Sequence, residues 1–138
     1  MKKSDEKNIY RILDANFNRL KEGLRVCEDT VRFAFNDSKA TKELKKIRHG
    51  ITKSLEGLGY KNLLLARDIN SDIGRVDKRS EYSRKELPDL FYANAQRCKE
   101  SIRVLEEFAK LIDTASAKKL KRLRYSFYEI EKRVVKRF

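Results

Sequence analysis

Apolar residues recur every three or four positions from about residue 7 to 36, which is the period of an amphipathic helix. Asn36-Asp37-Ser38 breaks that run with residues suited to cap the next helix. A second run over about 39–56 keeps Leu44, Ile47, Ile51 and Leu55 at helical spacing, with Leu58 just beyond and Gly57 and Gly59 at its end. A third helix is predicted from Pro88, which suits a first turn, to about 112, with Ser83-x-x-Glu86 resembling a capping box ahead of it. Asp113-Thr114 then breaks the pattern, and a fourth helix is predicted from 115 to about 136. Between the second and third lies 58 to about 86, far longer than a connection between packed helices requires. In it Leu63-Leu64-Leu65-Ala66 is the one stretch suited to a short helix or buried segment.

The first and third helices share more than a period. Ala15-Asn16-Phe17-Asn18-Arg19-Leu20-Lys21-Glu22-Gly23-Leu24-Arg25-Val26-Cys27-Glu28 returns 78 positions later as Ala93-Asn94-Ala95-Gln96-Arg97-Cys98-Lys99-Glu100-Ser101-Ile102-Arg103-Val104-Leu105-Glu106. Eight of the fourteen positions are identical, and six of those eight are polar or charged, whereas a duplication kept for packing alone would let its polar letters drift. Leu44 to Ile51 likewise resembles Leu120 to Phe127 at an offset of 76, matching Arg48 with Arg124. The expected fold is therefore all-α and a single domain over 1–138: two repeated helical hairpins (7–57 and 87–138), four long helices with an approximate internal two-fold, joined by the connection 58–86.

Placed on a helix, Ile12, Ala15, Arg19, Gly23, Val26, Thr30 and Phe33 make one stripe, and Ala93, Arg97, Ser101, Val104, Phe108 and Leu111 the other. That reading turns Arg19 and Arg97 inward, with Asn16 and Asn94 beside them. A buried arginine needs a carboxylate or a bound anion. Two outcomes stay open: ion pairs Arg19–Glu22 and Arg97–Glu100 at the rim of a core, or one anion-binding cleft on which Arg19 and Arg97 converge.

Composition narrows the function classes. One Pro and five Gly with 40% charged residues suit a helical protein, and no apolar run approaches the length of a membrane span. The N-terminus lacks the apolar core of a signal peptide, so a cytoplasmic location is expected, and a homodimer is left open. Cys27 and Cys98 have no CxxC spacing and read as small core residues. The net charge of +13 invites an anionic partner, and nine basic against two acidic residues in 118–138 concentrate it in the last helix. A nucleic-acid binder would use that helix, yet most aromatic residues fall at inward helical positions or in the loop, which leaves little surface for base stacking. His49, the only histidine, matches Tyr125 in the repeat, so no paired histidine chemistry is expected. In the connection, Arg67-Asp68-Ile69-Asn70-Ser71-Asp72-Ile73-Gly74-Arg75 offers Asp-x-x-x-Asp, which reads either as a turn and a cap or as a Mg²⁺ site completed by water and phosphate oxygens. With Arg84, this stretch is expected to lie over one side of the cleft and break its symmetry.

Arg11 through Arg19, Glu22 through Asp29, Leu44 through His49, Ala66-Arg67-Asp68 with Asp72-Ile73-Gly74, Glu81-Tyr82-Ser83-Arg84 and Leu123-Arg124-Tyr125 together resemble, in order and over nearly the whole chain, the helical domain fused ahead of thiamine-phosphate synthase in some bacteria. Position 75 departs from the family's Asp-x-Gly-Thr pattern, being Arg75. The resemblance implies a stand-alone hydroxymethylpyrimidine-phosphate kinase that uses Mg²⁺ and ATP, with thiamine-phosphate synthase as a candidate partner. On that footing Arg19, Arg97 and Asp68 are the expected catalytic residues. Asn16, Asn94, Glu22, Glu100, Arg67 and Arg84 are the expected substrate contacts, and Asp68 and Asp72 the expected metal ligands. The alternatives are a module that binds pyrimidine phosphate without turnover, or one that docks on the synthase.

Overall fold

The computed structural model describes residues 1–138 and is helical throughout, without a strand. The long helices are α1 (Lys3–Asp29), α2 (Ser38–Ser54), α4 (Leu87–Ala109) and α5 (Thr114–Val134). The predicted four are joined by a fifth, α3 (Tyr60–Ala66), which forms within the connection where four apolar letters had marked it. Asp37 caps α2 by accepting the Ala40 N–H at 3.0 Å. Asp113 caps α5 by accepting the Ala115 and Ser116 N–H groups, both at 3.2 Å. The box at the head of α4 sits three residues later than expected: Glu86 and Asp89 form it, while the Ser83 hydroxyl instead donates to the Ser80 carbonyl at 2.8 Å.

α1 and α4 run antiparallel in close contact. The Cys98 thiol lies 3.9 Å from the Leu20 carbonyl and the Cys27 thiol 4.0 Å from that of Phe91, both buried and unbridged. α2 packs on α1 and α5, and α5 on α4, so the four close into a bundle with α3 laid against α1. Leu13, Phe17, Leu20, Leu24 and Cys27 of α1, with Val31 in the turn that follows it, meet Phe91, Ala95, Cys98, Ile102, Leu105 and Ala109 of α4 in one core.

The two helices approach closely at Gly23. A Cβ there would sit 2.9 Å from the Cys98 sulfur and 3.2 Å from the Asn94 carbonyl oxygen, and the second contact is backbone that cannot turn aside. Gly23→Val should therefore push the helices apart and lower stability by about 1–3 kcal/mol. A urea unfolding curve displaced by less than a few tenths of that would show that the crossing relaxes freely.

The retained polar letters now have a structural cause at several positions. Glu28 is buried and accepts from Arg48 Nε at 2.8 Å and Nη2 at 3.4 Å; Glu106, its match in the repeat, is buried and accepts from Arg124 Nε at 2.8 Å and Nη2 at 3.5 Å. Arg25 and Arg103 approach the same carboxylates at 3.7 and 3.0 Å. Each pair ties the first helix of its hairpin to the second. The hydrogen bonds that Arg124 donates to Glu106 and then to the Tyr128 hydroxyl raise the Arg124 pKa above its ordinary value.

Arg19 and Arg97 do not point inward; both are exposed. The Leu13, Phe17, Leu20, Leu24, Cys27 and Val31 stripe buries far more apolar area than one through Ala15, Gly23 and Val26, and it turns position 19 away from the core. Neither arginine forms the anticipated i, i+3 ion pair: Arg19 Nη1 donates to Asn16 Oδ1 at 3.4 Å, and Glu100 accepts instead from Gln96 at 3.0 Å.

Candidate functional site

A cleft of about 630 Å³ opens where the N-terminal half of α1 meets the chain just after α3. Its α1 wall carries Arg11, Asp14, Ala15, Asn16, Asn18 and Arg19, the connection supplies Arg67, Asp68, Ile69 and Asp72, and Val104 reaches it from α4. These positions share a face because α1 presents residues three and four apart on one side, while α3 ends at Ala66 and turns the chain out over that side.

Two arginines hold the 67–72 stretch against α1. Arg67 grips the buried Asp14 carboxylate with two parallel bonds, Nε to Oδ2 at 2.7 Å and Nη2 to Oδ1 at 2.8 Å, the fork geometry in which guanidinium and carboxylate fit best. Asn18 Nδ2 adds 2.9 and 3.3 Å contacts to the Asp14 carbonyl and carboxylate. Arg11 Nη2 donates to the Asp68 carbonyl at 3.0 Å. The hydrogen bonds that Arg67 donates to Asp14 raise the Arg67 pKa above the ordinary arginine value, so this cation is permanent. The Asp68 carboxylate accepts the Ser71 N–H at 3.1 Å, and Ser71 holds its pKa below the usual carboxylate range. Asp72 accepts the Gly74 N–H at 2.9 Å.

Of the residues singled out in the sequence, Asn16, Arg19, Arg67, Asp68 and Asp72 therefore meet in one cleft. Arg97, Asn94, Glu22, Glu100 and Arg84 do not line it. Arg84 Nη1 donates to the Ser80 carbonyl at 2.9 Å, and Asn94 Nδ2 to the Leu90 carbonyl at 2.8 Å. Reading from the repeat missed Arg11, Asp14 and Asn18. The residue that matches Asp14 at the offset of 78 is Tyr92, so a search among duplicated letters passes over it. An acid beside Leu13 on the apolar stripe, which burial obliges to find a cation, was the available signal.

Three cations (Arg11, Arg19, Arg67) and three acids (Asp14, Asp68, Asp72) line the cleft. Asp14 is matched to Arg67, whereas Arg19 has no carboxylate of its own. A bare polyphosphate would meet Asp68 and Asp72 as like charges, while a divalent cation between them removes that conflict. Nowhere in the chain do three histidine, cysteine, aspartate or glutamate side chains gather to hold a metal unaided. Mg²⁺ that keeps waters and phosphate oxygens in its shell and leans on one or two carboxylates fits this donor set.

The basic surface of α5 is partly committed to the fold. Three of the nine basic residues in 118–138 form ion pairs, Arg124 with Glu106, Arg133 with Glu43 and Arg137 with Asp37. No helix is long and apolar enough to cross a membrane.

A family model described as the ThiD2 family matches residues 11–133. The chain is 36% identical over 129 residues to a thiamine-phosphate synthase of Rhodopirellula baltica, covering 93% of this chain and 34% of that one. It is 38% identical over 132 residues to the thiamine-phosphate synthase of a Synechocystis strain, covering 95% of this chain and 37% of that one. The chain thus spans about a third of the length of these curated relatives. No solved structure matches it.

Proposed function

The chain belongs to the ThiD2 family, and from that membership and the charged cleft on α1 we propose that it works in thiamine biosynthesis as a phosphoryl-transfer enzyme. In this reading the terminal phosphoryl group of ATP passes to a phosphate oxygen of hydroxymethylpyrimidine phosphate, giving the diphosphate and ADP. The observation that carries it is the convergence of Arg19, Asn16, Arg67, Asp68 and Asp72, chosen from sequence for phosphate chemistry, on one cleft. Phosphoryl transfer asks for positioning and charge compensation around the moving group more than for a special nucleophile. Arg19 is the cation free to meet phosphate oxygens, and Asn16 orients its guanidinium. Arg67 holds the 67–72 stretch in place and keeps a permanent charge at its edge. Asp68 and Asp72 would hold Mg²⁺, which would supply charge compensation for the phosphate groups there.

The test is direct. Purified protein with MgATP and hydroxymethylpyrimidine phosphate should release ADP and give the diphosphate signals in ³¹P NMR. Arg19→Ala should lower turnover by about a hundredfold or more, the scale of losing one preorganised group aimed at transition-state charge, without changing helicity. Arg97→Ala compares the match of Arg19 that lies outside the cleft: a loss as large as that from Arg19→Ala would move the site to the surface between the two. Wild-type protein that shows no turnover but melts higher with the pyrimidine phosphate is a binding module. Because the relatives carry the matching segment within chains named thiamine-phosphate synthase, that enzyme is the proposed partner, and co-purification is the check.

A further inference from the structure

A second polar cleft, about 450 Å³, lies further along α1, between its C-terminal part and the first turns of α2. Its lining has no hydrophobic residue and includes five cations, Arg25, Arg32, Lys42, Lys45 and Arg48, against the acids Glu28 and Asp37. Both acids are engaged. Glu28 accepts from Arg48 Nε and Nη2, and Asp37 caps α2 and pairs with Arg137 Nε at 3.0 Å. Arg32, Lys42 and Lys45 are left without a carboxylate, and Arg48, held rigidly by a buried partner, keeps Nη1 without an acceptor.

The other hairpin supplies an internal control. Arg103, Lys110, Lys118, Lys121 and Arg124 occupy the matching sequence positions at the two offsets. There Glu107 takes Arg103 and Lys110, each at 2.7 Å, and the Tyr128 hydroxyl accepts from Arg124 Nη1 at 3.0 Å. Three of the five matching cations, Arg103, Lys110 and Arg124, thus have carboxylate partners in that hairpin, whereas here only Arg25 and Arg48 do, both on Glu28. We propose that the α1–α2 cleft is a second anion site, taking a compact multiply charged phosphate species, a pyrophosphate or polyphosphate group. The lining has no apolar or aromatic side chain to sandwich a nucleoside ring, so recognition rests on the phosphates.

This site is not the donor half of the first cleft. The first is lined by residues 8–19 of α1 and the second by its last turns and the turn that follows, 25–32, and at 1.5 Å per residue their centres stand about 20 Å apart along the helical axis.

Amide NMR shifts read during a titration with sodium pyrophosphate at near-physiological salt test the proposal, and separate this cleft from the first. Shifts should move at 25–48, and Lys42→Ala/Lys45→Ala should weaken the binding read there by about tenfold or more, the scale of losing charge-assisted hydrogen bonds. Lys118→Ala/Lys121→Ala removes the same charge from the matching surface and should leave that affinity unchanged. All four lysines lie outside the core, so both variants should keep the wild-type circular dichroism spectrum. Tripolyphosphate and ATP binding equally at these residues would show that the phosphate chain is read whatever carries it, and a preference for ATP would overturn recognition of phosphates alone. No shifts at 25–48, or equal weakening by the two double variants, would overturn the site in favour of diffuse attraction to a basic protein.

Discussion

Arg48→Ala is expected to lower the unfolding free energy by about 3–5 kcal/mol, the scale of breaking a buried ion pair from one side. The Glu28 side chain is 2% exposed and that of Arg48 14%, so the alanine leaves a carboxylate out of reach of water. Arg25 is the only other cation within ion-pair distance of it, at 3.7 Å from a half-exposed side chain, and compensates weakly. Arg124→Ala removes the matching partner of Glu106, but Arg103 already stands 3.0 Å from that carboxylate, so the loss should be smaller. The order Arg48→Ala worse than Arg124→Ala is as much a part of the expectation as its size. Replacing Glu28 and Arg48 together by methionine should recover most of the stability, because neither charge is then stranded. Urea denaturation with an unchanged slope measures all three; a loss under about 1 kcal/mol for Arg48→Ala would mean that water reaches Glu28 readily.

The same pair shows what could be read from the sequence and what could not. Helix periods and the breaks at Asp37 and Asp113 followed from local pattern, because capping and amphipathicity act over a few residues. The recurrence of Glu28 with Glu106 and of Arg48 with Arg124 was visible as letters, yet their pairing across about twenty positions depends on how two helices pack. Arg19 was turned the wrong way for a related reason. Two overlapping stripes share Asn16 and Gly23 as neighbours, and the choice between them rests on the area that Phe17, Leu20 and Leu24 bury against α4. In the cleft, Asp68 and Asp72 were legible as an unpaired acidic spacing in a polar stretch. Asp14 was legible only as an acid on the apolar stripe, and its partner was not, because the buried contact comes from Arg67, 53 residues away.

Arg67→Ala is expected to lower turnover of the proposed kinase reaction by about a hundredfold, the scale of a small misplacement of reacting groups. Two different losses would contribute. The Asp14 carboxylate, almost fully buried, would keep only Asn18 as a side-chain partner, which costs stability by about 1–3 kcal/mol. Arg67 itself is 41% exposed, so its own part of the ion pair adds little to that figure. The 67–72 stretch would also lose its two-bond anchor, leaving Arg11 on the Asp68 carbonyl as the remaining tie between Asp68, Asp72 and α1. Asp14→Asn separates these effects, because it weakens the anchor while keeping the guanidinium in the cleft. If Arg67 acts by holding the stretch, Asp14→Asn and Arg67→Ala should share a kinetic defect, seen in kcat with Asp68 and Asp72 out of place. If it meets substrate phosphate directly, Arg67→Ala alone should raise KM, and Arg67→Lys should restore part of the affinity without restoring the fork. Full turnover in both variants would remove this cleft from the reaction and leave the Asp14–Arg67 pair as a clasp of the fold.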